Sequence, residues 1–287
     1  MITQSEKSRR LSERTAFSLL ALAAVIVVVP VLFIVIYVTV NGIGAINWEF
    51  LTQSPSQAGK AGGIFPAIVG TFYLMLGVII FALPVGVMAG IYLTEYARDN
   101  WLTRLINMAI LNLAGVPSIV YGLFGLGVFV MMLNFGMSLL AASLTLACQA
   151  LAMMITTSRE AILSVPRGYR EGSLAIGATR WQTTRHIILP EAMPGIITGA
   201  ILSVSRAAGE TAPILVVGAA FLTPGLPRSP FDQFMALPYQ LYTSAAHVPG
   251  MPDTTMWGIA LVLLAVVLSF NLLASVIRWR VRRRRFA

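Results

Sequence analysis

Residues 171–190 read EGSLAIGATRWQTTRHIILP, a polar stretch that lies between two long apolar segments. It opens at Glu171, has Gly177 six positions later and closes at Pro190. The stretch cannot cross a bilayer, because a membrane-spanning helix needs about 20 mostly apolar residues. Its mixture of apolar and charged residues predicts a short helix over 169–181, which either rests on lipid headgroups or docks onto a partner.

The composition places the chain in the membrane. Of its 287 residues 57% are hydrophobic and 11% are charged, and the mean hydropathy is +0.81. A soluble domain carries about 25% charged residues. The net charge of +9 does not indicate nucleic-acid binding, because the basic residues lie at the edges of apolar segments and in the tail.

The apolar segments predict an all-α integral membrane protein. Six of them are long enough to span a bilayer: 16–40, 66–93, 105–133, 138–158, 193–221 and 256–277. The first is too long for the apolar core of a signal peptide, so we interpret it as a retained span. The predicted organisation is an N-terminal segment 1–15, a six-span domain 16–277 with a polar loop 159–192, and a basic tail 278–287.

The distribution of Lys and Arg predicts the orientation. If the N-terminus is cytoplasmic, nearly all of the 20 basic residues lie in cytoplasmic segments. Outside segments hold only Lys60 and Arg228, and Arg206 lies within a span. Positive charge concentrates on the cytoplasmic side of membrane proteins. Both termini and the loop 159–192 are therefore predicted to be cytoplasmic.

Arg206 and Glu210 are the candidate functional pair within the membrane. They are four residues apart, so on a helix they would share one face. Counted from Pro194 at 1.5 Å per residue, Arg206 would lie about 18 Å along the helix, near mid-bilayer. An arginine there costs about 2.5–3.5 kcal/mol. Either the two residues neutralise each other, or Arg206 lies on the path of an anion, where its planar fork suits phosphate-like oxyanions.

The sequence contains no recognisable catalytic machinery. The phosphate-binding pattern Gly-x-x-x-x-Gly-Lys-[Ser/Thr] does not occur, so this chain is not expected to hydrolyse ATP itself. No nucleophile with a base and no cluster of metal ligands is legible, and the single Cys148 lies in an apolar span. We therefore predict that the chain is not itself an enzyme and binds no metal.

The spacing of the polar stretch resembles the cytoplasmic loop of permease subunits of ATP-binding-cassette (ABC) importers. The matching residues are Glu171, Gly177, Ile187, Leu189 and Pro190. The chain departs from the family at Gly172 and Ser173, where two alanines are usual. In that family the loop forms the coupling helix, which seats in a groove of the ATP-hydrolysing subunit. The resemblance implies that these seven residues couple the chain to its ATPase.

A second resemblance concerns the cargo. The segment RAAGETAP at 206–213, with MAGIYLTEY at 88–96 and PSIVYGLF at 117–124, is similar to the permeases of phosphate importers. This implies a six-span subunit of the MetI-like type in a bacterial inner membrane. Its implied partners are a second, related permease subunit, two ATP-binding subunits that hold ATP and Mg, and a periplasmic phosphate-binding protein. Arg206 and Glu210 would serve translocation.

Two alternatives remain open from the residues. The chain could serve another oxyanion, such as phosphonate, sulfate or molybdate. It could also be a secondary transporter or channel that uses Arg206 and Glu210 as an ion relay. Inverted repeats are common in such folds, and none is found in this sequence.

Overall fold

A computed structural model describes residues 2–223 and 225–283 of the chain. These residues are mostly helical, and the only sheet among them is a hairpin in which Pro55–Ser56 pairs antiparallel with Ala61–Gly62. The predicted all-α class is confirmed. Within the predicted terminal segments, Met1 and residues 284–287 lie outside the described part of the chain.

Twelve α-helices follow one another along the described residues: α1 (Ile2–Gly42), α2 (Trp48–Thr52), α3 (Phe65–Ile91), α4 (Trp101–Ala114), α5 (Ser118–Gly125), α6 (Leu139–Leu163), α7 (Arg167–Ala175), α8 (Arg180–Thr183), α9 (Leu189–Ala208), α10 (Ala212–Val217), α11 (Leu237–Ala246) and α12 (Asp253–Arg283). Wider π-helical turns extend α3 (Tyr92–Tyr96) and α5 (Leu126–Met132) and join α8 to α9 (Thr184–Ile188). Two short 3₁₀ turns, Ile43–Ala45 and Gln57–Gly59, lie in the connection between α1 and α3.

The helices supply the predicted spans. Five helical segments are long and apolar enough to cross a membrane: Glu13–Ala45, Phe65–Tyr96, Leu139–Leu163, Arg180–Ala208 and Asp253–Ile277. A sixth crossing is possible if α4 and the helix that follows it count as one bent span. The first, second, fourth and sixth predicted spans each correspond to one helical segment. The other two need correction.

The third predicted span, 105–133, is wrong as a single helix, because the chain bends by 105° between α4 and α5. Pro117 has no backbone N–H and restricts the residue before it, so the helix stops at Ala114. The bend frees backbone groups that lipid could not satisfy. The carbonyl of Leu113 instead accepts hydrogen bonds from the Tyr121 hydroxyl, 2.8 Å away, and from the Val116 N–H.

The fifth predicted span, 193–221, is wrong at both ends. Continuous helix already starts at Arg180 and stops at Ala208, and the short α10 follows after a three-residue break. Pro213 lies in the first turn of α10, where a missing N–H leaves no helical hydrogen bond unmade. The segment RAAGETAP therefore forms the end of one helix and the start of the next, and is not the interior of a span.

The helix α6 lies at the centre of the bundle and packs against both α3 and α9, which also contact each other. Both contacts depend on glycine. A Cβ atom added at Gly86 of α3 would collide with Met154 of α6, and one added at Gly199 of α9 would collide with Thr157 of α6. Small residues let helix backbones approach closely in membranes. The close α6–α9 contact fixes the position of Arg206 relative to α6.

We predict that Gly199→Ala destabilises the protein. The added methyl group would meet the side chain of Thr157, which is stiff because it is branched at Cβ. Overpacking of this kind costs about 1–3 kcal/mol. The melting temperature of the purified protein in detergent should fall. The matched control is Gly127→Ala, because nothing lies within contact distance of a Cβ there, and its melting temperature should not fall. Equal melting of the two variants would contradict this packing argument.

Candidate functional site

The polar stretch forms two short helices joined by an elbow, which together we call the docking segment (167–183). The single helix predicted over 169–181 is therefore wrong. The helix α7 starts directly after Pro166, and the chain turns at Gly177, whose φ of +88° lies in the left-handed region that favours glycine. Thr179 then begins α8 with a capping box, in which its side chain and that of Gln182 each bond the other's backbone N–H.

The docking segment exposes apolar side chains around its elbow. Ile176 is 86% exposed, and Tyr169, Leu174 and Trp181 are each about half exposed. Glu171 is exposed among them. Clustered apolar groups on an otherwise polar connection mark a surface that another molecule covers. The docking segment is therefore a small, largely exposed element with an apolar elbow, and the charged residues exposed beside the elbow are Arg167, Glu171 and Arg180.

The seven predicted coupling residues divide into two sets. Those exposed on the surface are Glu171, Gly172, Gly177 and Pro190, and those turned inward are Ser173, Ile187 and Leu189. The Ser173 hydroxyl lies 2.8 Å from that of Thr183 and joins α7 to α8. Leu189 packs against a buried cluster that contains Ile162 and Ile188. The residues of the inward set are buried or partly buried within the chain, and the four exposed residues are the more accessible to a partner.

We predict that Ile176→Asp weakens binding of an ATP-binding partner without unfolding the chain. Ile176 makes little contact within the chain, since its side chain is largely exposed, whereas burial of an isoleucine in a partner's groove is worth about 1.5–3 kcal/mol. Co-purification and ATP hydrolysis of the complex measure the effect. The control is Trp48→Asp, an equally exposed apolar residue between the first two spans. Unchanged co-purification of the Ile176 variant would contradict the docking role.

Arg206 and Glu210 meet, although not in the predicted way. Arg206 lies in the last turn of α9, which ends at Ala208, so Glu210 lies beyond the helix. The prediction that both share one helical face is wrong. The depth of Arg206 in the membrane was predicted by counting along the helix from Pro194. The helical segment already starts at Arg180, so that count does not give the depth. A turn brings the side chains together, with Arg206 Nε 3.7 Å from Glu210 Oε1.

Gln149 is a third polar member of this site, and the sequence reasoning missed it. It lies on α6, and its Nε2 donates a hydrogen bond of 2.8 Å to Glu210 Oε1. Its own Oε1 is buried and has no hydrogen-bond partner. The feature of the sequence that could have identified Gln149 was its amide side chain, which is polar and lies within the apolar span 138–158. Both Gln149 and Arg206 act on one oxygen of Glu210, and no described residue donates a hydrogen bond to the other, Oε2.

A small cavity of about 50 Å³ adjoins these groups, which is space for a few water molecules. Its lining includes residues from the bend in the third span and the three polar residues of the site: Leu113, Val116, Tyr121, Gln149, Arg206 and Glu210. The Arg206 side chain is 67% exposed and that of Glu210 is 17% exposed. A cation that faces outward therefore stands beside a carboxylate that is held within the protein.

Metal binding finds no support in the described ranges 2–223 and 225–283, where no three His, Cys, Asp or Glu residues are grouped as ligands. The helical spans, the protruding docking segment and the arginine–carboxylate pair instead define a subunit for transport across a membrane. Residues 82–283 match the family described as binding-protein-dependent transport system inner membrane component. The chain belongs to this family, which makes it a permease subunit of an ABC importer with the MetI-like fold.

Similar proteins agree with this membership over nearly the whole chain. The probable ABC transporter permease protein YqgI of Bacillus subtilis (strain 168) is 33% identical over 285 residues, covering 95% of this chain and 96% of the relative. The phosphate transport system permease protein PstA 1 of Mycobacterium tuberculosis (strain ATCC 25618 / H37Rv) is 32% identical over 282 residues, covering 96% and 91%.

The fold recurs in a solved importer. A chain of the bacterial alginate ABC transporter, in complex with an alginate pentasaccharide-bound periplasmic protein, superposes with a TM-score of 0.61 at 14% identity. The match covers 91% of this chain and 94% of that chain. At this identity the likeness concerns the fold and leaves the cargo open.

Proposed function

We propose that this permease subunit forms, with a second related permease, the path by which inorganic phosphate crosses a bacterial inner membrane. A periplasmic phosphate-binding protein delivers the anion, and two ATP-binding subunits that hold ATP and Mg drive the cycle; this chain binds no cofactor itself. The observation that carries the proposal is the exposed guanidinium of Arg206 beside a carboxylate oxygen that no described residue engages. The similarity to phosphate transport permeases supports it.

Because the Arg206 side chain is exposed in this chain, its charge limits which surroundings it can have in the membrane. Two thirds of its side chain is uncovered in this chain, and a charged side chain that faces lipid within a membrane is costly. A water-filled path beside a second permease avoids this cost. Phosphate fits the same place, because the planar fork of arginine donates two parallel hydrogen bonds to an oxyanion and keeps its charge.

Glu210 favours phosphate over the other oxyanions. A carboxylate only accepts hydrogen bonds when it is ionised, so Oε2 offers an acceptor to a cargo that carries a proton. Inorganic phosphate at neutral pH retains a proton and can donate it, whereas sulfate and molybdate retain none. Sites that hydrogen-bond a substrate group strongly reject analogues that lack it. Phosphonate also keeps a proton, so it is the remaining alternative cargo. Membership of a binding-protein-dependent family argues against the ion-driven transporter or channel.

The proposed mechanism is alternating access. Closure of the ATP-binding subunits on ATP moves the docking segment, the spans rearrange, and Arg206 faces one side of the membrane at a time. ATP binding can shift the spans only if the ATP-binding subunits contact this chain differently in the two states. The apolar elbow around Ile176, which is 86% exposed, offers a surface for such contacts.

We predict that Arg206→Gln abolishes phosphate uptake while the complex still assembles. The glutamine loses the charge and the fork, and each charge-assisted hydrogen bond is worth about 1.5–3 kcal/mol, so uptake should fall at least about tenfold. Uptake of labelled phosphate into liposomes that contain the full complex measures this. The control is Arg228→Gln, since the Arg228 side chain is exposed in the connection after α10. Normal uptake by an Arg206→Gln complex of normal abundance would refute the translocation role.

We predict that Glu210→Gln weakens discrimination between phosphate and sulfate. An amide can donate as well as accept, so sulfate would find a partner where the carboxylate repelled it. Competition by sulfate against labelled phosphate uptake should strengthen by about tenfold or more, corresponding to one charge-assisted hydrogen bond. The control is Glu49→Gln, the same chemical change at an exposed position of α2. If sulfate competes no better against the variant than against the native protein, Glu210 does not select the protonated anion.

A further inference from the structure

One arginine bonds the base of the docking segment to two helices of the bundle. Arg170 lies on α7, and Glu95 lies in the π-helical turn that ends α3. Arg170 Nη2 is 2.7 Å from Glu95 Oε1, and Arg170 Nε is 3.1 Å from the same oxygen. The side chains are only 21% and 12% exposed. This is a largely buried ion pair between residues 75 positions apart in the sequence.

The same guanidinium also holds the end of α6. Arg170 Nη1 donates to the carbonyl of Val165 at 2.8 Å, and Nη2 donates to that of Ile162 at 2.9 Å. Carbonyls at a helix C-terminus lack helical partners, and a cation there also opposes the negative end of the helix dipole. Arg170, Glu95 and these two carbonyls, which we call the Arg170 junction, therefore join α7 to both α3 and α6.

Only arginine can make all of these bonds. Its guanidinium carries five N–H donors in a rigid plane, whereas lysine is a compact charge on a flexible stem. The hydroxyl pair of Ser173 and Thr183, 2.8 Å apart, adds a link from α7 to α8, and α8 continues without a break into α9. Through these contacts the docking segment is bonded to α3, α6 and α9, the helices that pack together at the centre of the bundle.

We propose that Arg170 is a positioning residue that makes the docking segment and the inner ends of α3 and α6 move as one body. A displacement of α7 by the ATPase is then carried by α6 to Gln149 and by α9 to Arg206, instead of being absorbed in the connections. The inference rests on the docking role proposed for this segment. It does not depend on which anion is carried.

A second ion pair of the same chemistry shows what the Arg170 junction adds. Arg104 Nε lies 2.9 Å from Asp99 Oδ1, and the two residues are five positions apart. The Arg104 guanidinium lowers the pKa of the Asp99 carboxyl by hydrogen bonding and by charge. Both side chains are about three-quarters exposed, and the pair joins a turn to the helix that follows it. It links no separate helices, so it is a matched control for removal of a bidentate arginine–carboxylate pair.

The test is the number of ATP molecules hydrolysed per anion transported by the full complex in liposomes. Arg170→Lys keeps the charge and loses the fork, and Glu95→Gln keeps the shape and loses the charge. Both complexes should assemble and hydrolyse ATP, with the ratio raised about fivefold or more, the lower range of allosteric coupling. Asp99→Asn should leave the ratio unchanged. A native ratio in both junction variants would overturn the inference.

A covalent cross-link between positions 95 and 170 distinguishes a positioning role of Arg170 from a role in stability alone. Glu95→Cys and Arg170→Cys, introduced together with Cys148→Ser, are joined by a short thiol-specific linker. Restoration of the native ratio on linking, and its loss when the linker is cleaved, is the expected result. Recovery of assembly without recovery of the ratio would overturn the inference.

These outcomes are distinct from failure of the proposals on which the test depends. If the native complex carries another anion, the ratio is measured with that anion, and only the phosphate proposal fails. If the Ile176→Asp complex remains assembled and coupled, the docking role itself fails.

Discussion

The positive charge of Arg206, at the end of a membrane-spanning helix, constrains the structure around it. An arginine keeps its charge at any physiological pH, so it requires a counter-ion and polar surroundings. The helix α9 ends two residues later, which lets the chain turn and bring Glu210 back to Arg206. Gln149 holds the carboxylate from α6. The irregular backbone of the third span borders the same cavity, consistent with the rule that non-helical backbone at membrane depth borders protein or water.

The number and approximate location of the spans could be predicted because lipid imposes a length and an apolarity that hydropathy measures directly. The breaks at Pro117 and after Ala208 could not. Proline and glycine are tolerated within membrane helices whenever neighbours satisfy the freed backbone groups. Pro194, within α9, is such a case. Whether a proline breaks a span therefore depends on partners such as the Tyr121 hydroxyl, which sequence periodicity does not reveal.

The site was predictable in its charges and not in its contacts. Arg206 and Glu210 stood out because charge is rare in an apolar segment, and they do meet. Gln149 carries no charge, so it attracted no attention despite bonding to Glu210. Glu95 and Arg170 looked like ordinary polar residues near span ends, and only the folded chain brings them together. The spacing of the docking segment pointed to a partner, but it did not reveal that Ser173 is turned inward.

The bend between α4 and α5 has a consequence for how the chain enters the bilayer during synthesis. The helix α4 has 14 residues, and the arm beyond the bend is of similar length. Neither arm reaches the roughly 20 residues that a span requires, although the two together do. To form one crossing, the two arms have to enter the bilayer as a single segment. The helices α6 and α10, against which α5 packs, are made later. The third span is completed by parts of the chain that do not yet exist when it is inserted.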